Sequence, residues 1–197
     1  SRKKNPRIKG ISSTDYAANF DDFLSQRPEG KPFCFWLGGH EPHRVFEKGI
    51  GLNQGRKLED ADVPAFLPDT PEIRSDILDY YAEIEWFDSH LARALKQLEE
   101  IGELDNTLVI VTSDNGMAFP RAKANCLEFG VHVPLAIMWP GRAKGGREVT
   151  DPVGFVDLTA TILEVGGVTH PALDQVALAP VGRSLVSLLE SGKSGRV

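Results

Sequence analysis

The feature that most constrains the fold is a long amphipathic helix that runs directly into a buried strand. Apolar side chains recur at three- and four-residue steps from Ile73 to Ile101, roughly eight helical turns. Thr70 can cap this helix, Pro71 suits its first turn, and Gly102 ends it. The β-branched run at 107–113 follows at once, which predicts an α-then-β connection of a parallel sheet.

Further segments extend the same pattern. Residues 14–27 place aromatic side chains on one helical face, with Ser13 or Thr14 as the expected cap. The apolar runs 32–39 and 134–139 predict strands buried on both faces, and Cys34 is expected to be a core thiol. A long loop is predicted at 45–70, and short helices at 156–165 and 182–189. The order predicts an α/β fold, a mostly parallel sheet with helices on both faces.

Composition indicates an ordinary folded protein and excludes some partners. With 197 residues, 41% hydrophobic and 25% charged, the chain fits one domain with a real core. The net charge of −6 argues against a nucleic-acid binder, and the absence of a long apolar run predicts no membrane span. Residues 1–12 are locally basic and are predicted to be a tail or linker, followed by one domain over 13–197.

Polar side chains cluster where the predicted strands end. His40, His43 and Arg44 follow the first strand, and Asp114 with Asn115 follows the second. Ligands bind at the carboxyl edge of such sheets, and Asp and Asn oxygens suit Ca²⁺ or Mg²⁺. The alternative is turn chemistry, which Asp-Asn-Gly also favours. Two oxygens are too few for calcium, so further ligands must come from elsewhere.

The loop after the Asp-Asn-Gly turn adds Lys123, whose simplest interpretation is a solvated lysine. Taken with the histidines and the predicted cation, however, it completes a set suited to an oxyanion such as sulfate or phosphate. The cation would polarise the ester, and the ammonium and imidazole would offset charge developing on its oxygens. A histidine can also protonate a leaving oxygen.

In this order and spacing, the motifs resemble those of the sulfatases, members of the alkaline-phosphatase-like superfamily. The resemblance runs from about residue 31 to 189 and rests on H-x-P-H at 40–43, T-L-V-I-x-T-S-D-N-G at 107–116, K-x-x-x-x-E-x-G-x-x-V-P at 123–134, W-P-G at 139–141, V-D-L-x-x-T-I-L at 156–163 and G-x-S-L-x-x-L-L at 182–189. It implies an enzyme that hydrolyses sulfate esters or sulfamates.

Residue by residue, the resemblance implies roles for the polar clusters. Asp114 and Asn115 would be ligands of a divalent cation, usually calcium and less often magnesium. Lys123 would contact the sulfate group, and His43 would contact it or assist the leaving group. His40 and Arg44 would either support these groups from behind or contact the substrate at its rim, and Glu128 would hold the lysine loop.

Two departures from the family pattern stand out. Phe129 and His132 replace a usual glycine and arginine. Neither Cys34 nor Cys126 lies in the C-x-P-x-R motif that carries the formylglycine nucleophile, and the family's N-terminal Asp pair is missing too. The chain is therefore expected to be a middle-to-late part of a sulfatase, inactive alone, with apolar edges that favour self-association.

The loop after the Asp-Asn-Gly turn is similar to that of one group within the sulfatases. Phe119-Pro120 and a basic residue just before x-Asn are similar to the sulfamidases and related glycan sulfatases, which implies a sulfated-sugar substrate. Hydrolysis of phosphodiesters or phosphonate esters, and a non-catalytic binding fragment, are the alternatives. Family members of this kind are periplasmic, secreted or lysosomal, and no signal-type apolar segment is present.

Overall fold

The computed structural model describes residues 2–3, 8–168 and 182–191. The chain divides into two compact units: unit 1 comprises Ser1–Gly102 and Val111–Leu135, and unit 2 comprises Glu103–Ile110 and Ala136–Val197. In the described part of unit 1, the helices are α1 (Tyr16–Gln26), α2 (Ile50–Asn53), a 3-10 turn (Leu58–Asp60), α3 (Pro71–Glu100) and α4 (Glu128–Val131). The predicted long loop at 45–70 thus contains two short helical segments.

Helix α3 is the predicted long helix and organises unit 1. Thr70 accepts a hydrogen bond from the Ile73 amide at 3.4 Å, and Pro71 occupies the first turn, as expected. Its 30 residues span about 45 Å. Its inner face packs on the loops at 46–67 and 117–119 in a core whose buried members are Phe46, Ala61, Ile77, Leu78 and Phe119.

The inner face of α3 also carries buried polar residues that the apolar stripe did not predict. Asp79, Glu83 and His90 are each at most 2% exposed, whereas Ile84 and Ile101, assigned to the stripe, are 39% and 48% exposed. The covered face of α3 is therefore rotated from the apolar stripe and includes polar side chains, of which Asp79 binds neighbouring backbone amides.

Helix α1 begins with a different cap from the one expected. Asp15, rather than Ser13 or Thr14, accepts the Ala18 amide at 3.0 Å. Its carboxylate also accepts from the Arg93 guanidinium at 2.8 Å, which ties the start of α1 to α3. Asp15 prevails because it satisfies a helix N-terminus and a cation together.

The segment 32–39 is extended but is not a strand. Phe33 and Phe35 pack on Phe20 and Phe23 of α1, with ring centroids 4.8–6.2 Å apart. The opposite face is open, because Trp36 is 89% exposed and Cys34 is exposed rather than a core thiol. Within the described residues this segment has no partner strand, so the prediction of a strand buried on both faces was wrong.

The described strands are β1 (Val109–Thr112) and β2 (Leu135–Met138), which pair in a two-stranded sheet. The division between the units passes through both strands. Both lie within the runs predicted as strands, but β2 is exposed over its first half rather than buried. The mostly parallel sheet with helices on both faces is not seen in the described ranges.

Unit 2 adds α5 (Phe155–Val165) and α6 (Val186–Ser191). Buried Asp157 accepts the amides of Gly154 at 2.9 Å and Arg183 at 2.7 Å, joining the start of α5 to the segment before α6. Leu158, Leu185 and Leu188 form the small core around this junction. The first half of the predicted 182–189 helix is thus not helical and leads into α6.

Residues 8–12 make defined contacts in unit 1. The amide of Lys9 donates to Glu47 at 2.7 Å, and Ile11 is buried. The boundary predicted at residue 12 stays a prediction. In the described part of the chain, no helix is both long and apolar enough to cross a bilayer.

Candidate active site

The H-E-P-H loop is held by Glu41, a residue of the motif to which the sequence assigned no role. Glu41 is 6% exposed and accepts from the Ser12 amide at 2.6 Å and the Tyr16 hydroxyl at 2.8 Å. The Tyr16 hydroxyl in turn accepts from the His40 amide at 3.0 Å. With Glu41 inside, the His40 and His43 rings lie outside, with centroids 5.1 Å apart. A buried acid thus presents both imidazoles to solvent.

Arg44 closes this loop onto two other elements. Its guanidinium makes two hydrogen bonds to Asp76 of α3, at 3.0 and 2.6 Å, and a third to the Ala118 carbonyl at 2.8 Å. It also lies 4.5 Å from the Phe46 ring centroid and 4.8 Å from that of Phe119. The loop bearing His43 is therefore bonded directly to the loop that leads to Lys123.

The Asp-Asn-Gly turn at 114–116 is separated from the end of β1 by one residue, Ser113. Asn115 donates its side-chain amide to the Gly116 carbonyl at 2.8 Å, and Ser113 donates its hydroxyl to the Asn115 carbonyl at 2.9 Å. The Gly116 amide donates to the Gly130 carbonyl at 3.1 Å. A Cβ at Gly116 would lie 1.8 Å from the Phe129 carbonyl oxygen, so only glycine permits this approach.

Turn chemistry leaves the two side-chain oxygens of interest free. The Asn115 amide nitrogen is used within the turn, which leaves its Oδ1 available. The Asp114 carboxylate is exposed and has no hydrogen bond or ion pair to any residue in the described ranges. The turn interpretation and the metal interpretation are therefore compatible.

Lys123 is presented by a tight loop. Its amide donates to the Met117 carbonyl at 3.0 Å, folding the loop back toward the turn. Arg121 and Ala124 on either side both adopt φ of 63°, a left-handed conformation that side chains rarely take. Ala122 between them is fully buried. The half-buried Lys123 side chain makes no ion pair with a described residue, so its ammonium is available to an anion.

Phe129 and His132, the two replacements in the family's loop pattern, lie in helix α4 and at its C-cap. His132 and Glu128 are bonded to each other at 2.6 Å, on an exposed surface. Glu128 thus contacts His132, while the backbone bonds described above hold the lysine loop. The Phe129 ring packs edge-on against Phe66, with centroids 4.9 Å apart. The larger side chain forms an aromatic wall where the family usually has glycine.

The metal prediction can be tested against the chemistry of the available donors. A carboxylate and an amide oxygen fit a hard divalent cation. Over residues 2–3, 8–168 and 182–191, however, no three His, Cys, Asp or Glu side chains form a cluster that could hold a metal. Asp114 and Asn115 therefore fit two positions of such a site, and the other ligands must come from elsewhere.

A second buried acid lies near this region and was not predicted. Glu83 is 1% exposed and both carboxylate oxygens lack a hydrogen-bond partner among the described residues. Burial, together with the charge of Glu41, raises the pKa of Glu83 to about 7. The only sequence signal for the burial of Glu83 is its position beside the apolar stripe of α3.

The fold is shared with solved structures of other proteins. A sulfatase from Bacteroides fragilis superposes with a TM-score of 0.71 at 22% identity, over 92% of this chain and 41% of that one. A phosphonate monoester hydrolase from Silicibacter pomeroyi gives 0.71 at 24% identity, over 98% and 46%. At this identity the likeness shows a shared fold and nothing further.

The sequence then identifies the family. The chain belongs to the sulfatase family, whose pattern matches residues 1–168. It is 30% identical over 191 residues to the human N-sulphoglucosamine sulphohydrolase, covering 84% of this chain and 38% of that enzyme. The predicted membership in a family of hydrolases is confirmed. The chain spans between 38% and 46% of the length of these three proteins.

Proposed function

We propose that the protein containing this chain hydrolyses a sulfate ester or sulfamate on a sulfated sugar. The family membership and the similarity to a relative named for N-sulphoglucosamine support the substrate class. The observation that carries the proposal is the direct bonding of the histidine loop to the loop that bears Lys123, both within unit 1. Arg44 bonds the histidine loop to Ala118, and Lys123 bonds its own loop back to Met117.

In this proposal Asp114 and Asn115 supply two oxygens to a divalent cation, calcium before magnesium, which would polarise the sulfuryl group when bound. The Lys123 ammonium binds a sulfuryl oxygen and offsets the charge that develops on it. His43 gives a proton to the departing oxygen or nitrogen of the sugar. His40, whose ring neighbours that of His43, contacts the substrate at the rim.

The nucleophile and the remaining metal ligands belong to other parts of the protein in this proposal. The family's nucleophile is a formylglycine, and neither Cys34 nor Cys126 has its sequence context. The larger parallel sheet is likewise proposed for the whole protein. The 197-residue chain alone is expected to show no turnover and to bind calcium weakly. Tight stoichiometric binding in calorimetry would contradict this.

The test uses the complete gene product and sulfated aryl and amino-sugar substrates with calcium present. Replacing Lys123 by alanine removes a donor to the developing charge, so kcat should fall roughly 10²- to 10³-fold. Asp114→Ala should lower activity and raise the calcium concentration needed for half-maximal rate. Asp105→Ala, at an exposed position in unit 2, is the control. Full activity of Asp114→Ala at limiting calcium would exclude the metal assignment.

Phosphonate or phosphodiester hydrolysis is the second candidate, because the fold is shared with a phosphonate monoester hydrolase. The two candidates differ in the central atom and in the nucleophile. Parallel assays of matched aryl sulfate and aryl phosphonate esters separate them. A kcat/KM at least tenfold higher for the phosphonate would replace the first proposal by the second.

A further inference from the structure

The contacts of Arg44 define a clamp, by which we mean its guanidinium, Asp76 and the Ala118 carbonyl. Arg44 uses three N–H groups here, two on one carboxylate and one on a carbonyl. Paired N–H to carboxylate bonds fix the plane of a guanidinium as well as its position. The rings of Phe46 and Phe119 further restrict it. The side chain is only 38% exposed although the loop lies at the surface.

The backbone of Arg44 has a separate contact with its neighbour. The Nδ1 atom of His43 lies 2.6 Å from the Arg44 carbonyl oxygen. Because a carbonyl only accepts hydrogen bonds, Nδ1 must carry the proton. In the neutral ring the lone pair is therefore on Nε2, the atom directed away from the backbone. Once protonated, Nε2 is the atom that can give a proton to a leaving group.

Arg44 makes both contacts, and the contact of its carbonyl with His43 depends on the anchoring of its side chain. His43 and Arg44 are both exposed, and His43 is otherwise held by a backbone bond from its amide to the His40 carbonyl at 3.1 Å. The carbonyl at residue 44 stays in place because its side chain is anchored on α3 and on the 117–123 loop. Without the anchor, the His43 ring can rotate and exchange tautomers.

We propose that Arg44 is a positioning residue, whose clamp holds the His43 ring in the Nδ1–H tautomer and directs Nε2 toward the departing group. This rests on the proposed function only for the role of the departing group. The resemblance implied that Arg44 contacts the substrate or supports the groups that do, and its two remaining N–H groups leave room for a substrate contact. The clamp adds a role that acts through His43.

The first experiment reads the His43 tautomer without any substrate. The complete protein is labelled with ¹⁵N-histidine, and the His43 signals are identified by their loss in His43→Gln. Long-range ¹H–¹⁵N spectra above neutral pH should show His43 as the Nδ1–H form. In Arg44→Ala and Asp76→Ala the signals should move toward the Nε2–H form that free histidine prefers.

The second experiment measures kinetics. Arg44→Ala should lower kcat roughly 10- to 100-fold, the range found when a partner that orients a functional histidine is removed, with a smaller change in KM. Arg44→Lys keeps the charge but cannot form the paired bonds, so its kcat and spectrum should lie between those of wild type and Arg44→Ala.

Arg74 provides a matched control. It pairs with Asp69 at 2.5 and 2.8 Å and donates to the carbonyls of Leu58 and Ala61, at the same end of α3. Arg74→Ala therefore removes an equivalent set of bonds without touching His43. It should lower thermal stability as Arg44→Ala does, while leaving the His43 spectrum unchanged.

The outcomes separate the clamp from the proposed function. An unchanged His43 spectrum in Arg44→Ala, or the same displacement in Arg74→Ala, overturns the clamp. A higher KM with unchanged kcat and spectrum also overturns it and leaves Arg44 as a substrate contact. If His43→Gln is fully active while Arg44→Ala displaces the spectrum, the clamp stands and the proposed role of His43 fails.

Discussion

Asp79 and Glu83 lie four positions apart on the inner face of α3, at 2% and 1% exposure. Asp79 accepts the amides of Gly49 at 2.8 Å and Gly51 at 2.9 Å, which anchors α2 on α3. Glu83 has no hydrogen-bond partner in the described part of the chain and shares its surroundings with Glu41. Equal burial therefore has opposite consequences: the Asp79 carboxylate supports the fold by accepting two backbone amides, whereas burial raises the pKa of Glu83 and favours its protonated form.

The largest expected change in stability comes from removing the hydrogen-bonded carboxylate of Asp79. Asp79→Ala removes two charge-assisted hydrogen bonds and leaves two amide N–H groups without a partner, so unfolding free energy should fall by about 4 kcal/mol. Urea unfolding of the protein at pH 7 measures it. Asp88, exposed on the same helix, is the control, and Asp88→Ala should change stability by less than about 0.5 kcal/mol. Equal losses in both variants would remove the contrast.

Replacing Glu83 should raise the free energy of unfolding, whereas replacing Asp79 should lower it. The pKa of Glu83 is about 7 in the folded protein against an ordinary value of 4.5, so the folded state binds the proton more tightly than the unfolded chain. Its contribution is present in full below pH 4.5 and is lost as pH rises to about 7. Glu83→Gln removes this loss and should stabilise the protein at pH 8 by up to about 3 kcal/mol.

The measurement for Glu83 is a series of urea unfolding curves between pH 5 and pH 8. Wild-type stability should fall over this window more steeply than that of Glu83→Gln. The two proteins should have closely similar stability at the acid end. If Glu83→Gln is less stable than wild type at pH 8, Glu83 works as an anion and the comparison with Asp79 collapses.

The smallest effect separates the two causes at Glu83. Burial is the main reason for its raised pKa and the charge of Glu41 is the second. Glu41→Gln should therefore lower the midpoint of the Glu83-dependent transition by less than about one pH unit. The carboxyl signal in ¹³C NMR reports this midpoint directly. A return to the ordinary glutamate value would make Glu41 the dominant cause.

Local signals decided which parts of the fold could be predicted. For α3 the cap at Thr70, the proline at the first turn and the apolar period all agree, and the helix is found as expected. The segment 32–39 has a strand's composition, but a strand also requires a partner, and within the described residues it has none. At α1 three adjacent residues could cap the helix, and Asp15 was selected by Arg93, 78 positions away.

In the candidate site, too, the sequence predicted some features and not others. The residue types at 40–44 and 114–123 carry the chemistry, so the sequence was enough to propose them. Their supports were hidden because they lie far along the chain: Arg44 binds Asp76 and Ala118, 32 and 74 positions away. Glu41 occupies the variable position of its motif, so nothing local marked its buried carboxylate as the anchor of the loop.

The solvent-facing indole of Trp36, 89% exposed, has a practical consequence. A tryptophan in water emits at longer wavelength than one enclosed by protein, so this ring can report whether the open side of the extended segment becomes covered. If copies of the chain associate through this segment, which has no partner strand among the described residues, the emission will shift to the blue as protein concentration rises. Trp36→Phe would abolish that shift and identify its source.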